Sequence, residues 1–126
     1  MRHQLNLLFV EPSLTERVVL RGHLERLKYF ADFAWNIETA LVQANSKAYD
    51  FILIDDSFNR IESCSELTVS LSESKLNQET PIVFLSSSGN FEKSKTDQHH
   101  KFAKPRREED VSKLIGFLFQ LKQFPT

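Results

Sequence analysis

The sequence predicts an α/β fold, a doubly wound five-stranded parallel sheet with helices on both faces. Three observations predict it. Short apolar runs alternate with helix-length segments along the whole of the 126-residue chain. The strongest runs are apolar without interruption, as strands covered on both faces are, and do not alternate with polar residues. The intervening segments are long enough to cross over, and right-handed crossovers place helices on both faces of parallel strands. The length suits one domain spanning residues 1–126.

The elements follow in order. LNLLFV (5–10) reads as the first strand. Ser13 with Glu16 three residues later is a capping box, each side chain satisfying the other's backbone donor at a helix start. Leu20, Leu24 and Leu27 then recur at helical spacing, giving a helix over about 14–28. ADFAW (31–35) is a second, weaker strand. Asn36 caps a helix whose stripe is Ile37, Ala40, Leu41, Ala44 and Ala48. Phe51–Ile54 is the third strand, and Ile61, Cys64, Leu67 and Leu71 mark a third helix in a serine-rich stretch. Pro81 introduces a fourth strand, Ile82–Leu85. Residues 86–100 lack an apolar period and read as loop with at most one short helix. KFA (101–103) is a minimal fifth strand. Val111, Leu114, Ile115, Leu118 and Leu121 form the cleanest amphipathic stripe, a helix over about 108–123 whose first turn holds Glu108, Glu109 and Asp110.

The totals exclude several function classes. Apolar residues make up 40%, including eleven Phe, so a core is available and disorder is not expected. A formal net charge of −1 without a long basic run argues against direct nucleic-acid binding. Cys64 is the lone cysteine, which excludes an internal disulfide and fits a reducing, cytoplasmic setting. No signal peptide is seen, and the apolar runs are far too short to span a membrane. His99 and His100 beside Asp97 read as solvated loop residues, without the spacing a zinc site needs.

In an open parallel sheet, the ligand site lies beyond the carboxyl ends of the strands. Glu11-Pro12 follows the first strand, Asp55-Asp56 the third, Ser86 to Ser88 the fourth and Lys104-Pro105 the fifth. Acid, acid, hydroxyl and lysine therefore gather at one edge. A carboxylate can take a phosphoryl group as an acyl phosphate. Lysine, hydroxyl and an acid-held magnesium ion can each meet one of that group's oxygens. Each residue also has a plainer role. Asp55-Asp56 suits a turn, Glu11 suits a helix N-terminus, Ser86 suits a loop cap and Lys104 suits a structural pair with Asp55.

The motifs LLFVEP (7–12), DFILID (50–55), PIVFLSS (81–87) and KFAKP (101–105), in this order and spacing, resemble the CheY-like receiver domain of two-component response regulators. The resemblance covers essentially the whole chain. It implies the flavodoxin/CheY-like strand order 2-1-3-4-5. It implies Asp55 as phospho-acceptor, Ser86 as the hydroxyl that turns to the phosphoryl group and Lys104 as the lysine that contacts it. It implies Mg2+ held by Glu11, Asp55 and the backbone carbonyl of Ser57, and a cis bond between Lys104 and Pro105. The partners implied are a histidine kinase or phosphotransfer protein, a downstream effector protein or domain, and a second copy in a homodimer. The chain is then a signalling switch and not a metabolic enzyme.

The pattern departs from the family at two points. Pro12 stands where receivers carry the second acid of the pair, which weakens the metal site. Asp56 cannot replace it, because adjacent strand residues point to opposite faces. Lys101 stands where receivers carry a switch aromatic, with Phe102 one place late, and the stretch from Ser86 to Lys104 is short. These departures favour the alternative of a phosphorylation-independent pseudo-receiver, an interaction module on the same fold. A flavin carrier is disfavoured, since the turn after the first strand has no phosphate-cradling loop.

Overall fold

The computed structural model describes residues 5–56, 64–87 and 100–123. Its elements are β1 (Leu7–Val10), α1 (Leu14–Arg26), β2 (Ala31–Ala34), α2 (Ile37–Ser46), β3 (Phe51–Asp55), α3 (Cys64–Ser72), β4 (Ile82–Ser86), β5 (His100–Ala103) and α4 (Glu108–Gln123). All five strands are parallel, in the order β2-β1-β3-β4-β5. The expected fold class and strand order are both present. The order reverses between β1 and β3, where Val10 pairs with Ile54.

Strand parity sorts the core into two layers. Leu7 and Phe9, Phe51 and Leu53, and Val83 and Leu85 face α1 and α4, where Leu24, Val111, Leu114 and Leu118 close the layer. Leu8 and Val10, Ile52 and Ile54, and Ile82 face α2 and α3, meeting Ala40, Ala44, Leu67 and Leu71. Each large side chain buried this way contributes roughly 1.5–3 kcal/mol of transfer free energy.

The helix ends explain where the sequence reading overshot. α1 stops at Arg26 because Lys28 turns left-handed, with φ of 68°. Its N–H donates to Glu25 O at 3.0 Å, and the N–H of Tyr29 donates to Leu24 O at 2.8 Å, a Schellman closure. That position suits glycine, so Lys28→Gly is expected to raise stability by about 1 kcal/mol, measured by urea denaturation. α2 ends at Ser46, which leaves Ala48 outside it. Its start is a capping box between Asn36 and Thr39. Of the expected α3 stripe, Leu67 and Leu71 are buried. Ile61 and the side chain of Cys64 fall outside the described residues, as do residues 88–99 with Asp97 and His99.

At the opposite end from the strand mouths, Asn77 is a buried polar anchor. Its Nδ2 donates to Ala44 O at 2.6 Å and Lys47 O at 2.9 Å, and its Oδ1 accepts from Tyr49 N and Thr80 Oγ1, both at 2.9 Å. It ties the turn after α2 to the turn before β4. Asn77→Ala orphans these partners, and a loss of about 2–3 kcal/mol is expected in urea denaturation.

Candidate functional site

The parity that builds the core also builds the site. Glu11 continues the Leu7-Phe9 face, Asp55 the Phe51-Leu53 face, and Lys104 the face of Phe102, which packs on the same layer. All three reach the α1 side of the sheet at its carboxyl edge. The N–H of Glu11 donates to Ala34 O at 2.8 Å, and the N–H of Lys104 donates to Ser86 O at 2.8 Å, so the backbones are pinned to neighbouring strands.

The Lys104 ammonium sits among three carboxylates. It lies 2.8 Å from Glu11 Oε1 and forms ion pairs with Asp55 Oδ2 and Glu16 Oε2. The side chains of Asp55, Glu11 and Lys104 are 2%, 5% and 11% exposed, whereas that of Glu16 is 37% exposed. One carboxylate oxygen from each of Glu11, Glu16 and Asp55 lies within 4.8 Å of the others. A cavity of about 210 Å³ opens beside this cluster, between Val19 and His23 of α1 and the turn at Pro105 and Arg106.

Charge counting explains the titration behaviour. Three ionised carboxylates against one ammonium would leave an excess of two negative charges in a poorly hydrated place, so one acid keeps its proton. Burial, followed by the hydrogen bonds with Asp55 and Glu16, pushes Glu11 up to about 8, although Lys104 and the Ser13 N–H pull it down. Glu16, at the solvent side, is held below the ordinary carboxylate range by its hydrogen bond with Glu11 and by Lys104. Burial alone would lower Lys104, but the surrounding Asp55, Glu11 and Glu16 outweigh it and raise the ammonium's pKa.

Glu11, Asp55 and Lys104 converge as the strand ends required. Ser86 closes β4 half-buried, its carbonyl accepting from Lys104. Ser57 lies outside the described residues. Asp56 turns away from the cluster toward Ser87, 3.4 Å from its hydroxyl. Pro12 places no acid in the site, and its carbonyl accepts from Arg17 at 3.0 Å, whose guanidinium lies 5.4 Å from the centre of the Trp35 ring. Two readings need correction. No peptide bond among the described residues is cis, so the Lys104–Pro105 bond is trans, the intrinsically preferred isomer. The expected capping box at α1 is only half formed. The N–H of Glu16 donates to Ser13 Oγ at 3.3 Å, but the N–H of Ser13 donates to Glu11 Oε2 at 2.9 Å. The Glu16 carboxylate is drawn to Lys104 because a buried ammonium is a stronger partner than a neutral amide. Glu16 is thus a site residue that sequence reasoning assigned to its helix.

The donor set fits a hard divalent cation. The oxygens are carboxylate, they are close enough to share one ion, and their excess charge is what such an ion neutralises.

No protein-family model and no curated protein matches the chain. Solved structures do. The chemotaxis response regulator CheY4 of Vibrio cholerae superposes with a TM-score of 0.76 at 21% identity, over 92% of this chain and 99% of that one. The receiver domain of the sensor histidine kinase PA1611 of Pseudomonas aeruginosa, which has a magnesium ion coordinated in its active-site cleft, gives 0.73 at 17% identity, over 94% and 99%. The receiver domain of the Francisella response regulator 1452 gives 0.70 at 20%, over 94% and 99%. With its parallel 2-1-3-4-5 sheet and acids and lysine at the sheet mouth, the chain has the CheY-like receiver fold.

Proposed function

We propose that the chain is a response-regulator receiver domain that accepts a phosphoryl group on Asp55 and shifts the state of a protein-interaction surface. The observation that carries this reading is the convergence of Glu11, Asp55 and Lys104, from the ends of β1, β3 and β5, on one buried cluster. Asp55 ends a strand buried along its whole length, so its carboxylate is held still where a nucleophile must be fixed.

An Asp55 oxygen attacks the phosphorus of a phosphohistidine. The P–N bond breaks, its electron pair leaves with the imidazole nitrogen, and an acyl phosphate forms on Asp55. Lys104 exchanges its contact with the Asp55 carboxylate for one with a phosphoryl oxygen, and the Ser86 hydroxyl donates to another. Glu11 and Asp55 would hold a magnesium ion, which when bound would supply charge neutralisation for the transfer. The partners are then a histidine kinase or phosphotransfer protein upstream and an effector protein downstream, in the cytoplasm. The chain acts as a switch and not as a metabolic enzyme. Among the described residues no helix is long and apolar enough to cross a membrane.

Pro12 and β5 support a second reading, the phosphorylation-independent pseudo-receiver. Phe102 is stacked on Phe117 of α4, with ring centres 4.8 Å apart, and the preceding position holds Lys101 and not an aromatic. Amide hydrogen exchange with magnesium and acetyl phosphate separates the two. The receiver reading expects altered protection at residues 82–87 and 100–104 in the wild type and none in Asp55→Asn. Unchanged exchange in both favours the pseudo-receiver.

A further inference from the structure

We propose that Glu16 is the second acidic metal ligand of this site, so that the first turn of α1 supplies the carboxylate that Pro12 cannot. The inference rests on the receiver reading above and concerns which residues of this chain would hold the ion.

Four observations carry it. The Glu16 carboxylate contacts the same Lys104 nitrogen as Glu11 and Asp55, and the oxygens of the three acids lie within 4.8 Å of one another. Glu16 is released from the duty its sequence context assigns, because the Ser13 N–H that it would bond is taken by Glu11 at 2.9 Å. Glutamate also has the reach to enter the site from a helix. Third, Glu16 is the solvent-facing member of the trio, on the side from which a hydrated ion arrives, and magnesium keeps several of its waters. Finally, Lys104 is a single ammonium facing three acidic side chains. When it turns to a phosphoryl oxygen, Glu16 is left facing Glu11 and Asp55, a set that a divalent cation matches and a lone lysine does not.

The competing role is a clamp, in which Glu16 only holds Lys104 in place. Magnesium affinity distinguishes the two without reference to phosphorylation. Isothermal titration with MgCl2 is run on the wild type, Glu16→Gln and the double variant Pro12→Asp/Glu16→Gln, with urea denaturation of each confirming the fold. A ligand role predicts that Glu16→Gln weakens magnesium binding about tenfold or more. It also predicts that Pro12→Asp restores most of the loss by returning an acid to the turn. Unchanged or tighter binding in a folded Glu16→Gln overturns the inference and leaves the receiver reading standing. A wild type that takes up no magnesium at millimolar concentration overturns the inference and the metal-dependent receiver reading together.

Discussion

Lys104→Ala is expected to lower stability by roughly 3–5 kcal/mol near neutral pH, the usual cost of stranding buried charge when one partner is removed. The cause is local. The Lys104 ammonium pairs with Asp55, Glu11 and Glu16, two of which are almost fully buried. Without it, the Asp55 and Glu16 carboxylates face one another and Glu11 with no counter-charge, and the truncated stem also uncovers the cavity beside α1. Two features separate this from a simple packing loss. The deficit is expected to shrink below pH 5, where the acids take up protons, and to shrink on adding magnesium. Urea denaturation at several pH values measures both. A loss under about 1 kcal/mol would mean that the cluster is screened by water.

The metal-free protein is expected to lose stability as pH rises from about 5 to 8. Glu11 titrates near 8 in the fold against an ordinary value of 4.5. Below 4.5 both folded and unfolded chains hold the proton. Between the two values only the folded chain holds it, so each increment of pH favours unfolding, and the loss is complete once pH passes the folded value. The lowered Glu16 acts in the opposite sense, contributing stability above its unfolded value that is lost on acidification through its folded one. Stability should therefore peak on the acid side of neutrality. Melting in chelator should show a falling midpoint from pH 5 to 8, and magnesium should raise the midpoint more at pH 8 than at pH 5.5. A midpoint that climbs steadily to pH 8 in chelator would contradict the arrangement of charge described for Glu11.

The strand-end residues were legible because a parallel sheet converts sequence parity into position. Once Leu7, Phe51 and Phe102 are placed on one face, Glu11, Asp55 and Lys104 must follow them to the same edge. Opposite parity likewise explains why Asp56 leaves the site for Ser87. Glu16 was not legible in the same way. Ser13 followed by Glu16 is a local signal, and whether that carboxylate turns back to its own helix or outward depends on a lysine 88 positions away. The end of α1 carries no marker for a related reason, since Lys28 adopts a left-handed backbone without the glycine that signals one. Asn77 carried no signal at all. A polar residue in a connecting segment has no period, and its four hydrogen bonds exist only once the turns after α2 and before β4 are brought together.

The proposed transfer of a phosphoryl group to Asp55, beside a turn that holds Pro12 and no second acid, is put to the test by intact-protein mass after incubation with magnesium and acetyl phosphate, with an Asp55→Asn control. One phosphoryl adduct, dependent on magnesium, is expected on the wild type and none on the control. A folded wild type that gains no adduct at millimolar magnesium, or an adduct that persists in Asp55→Asn, would contradict it.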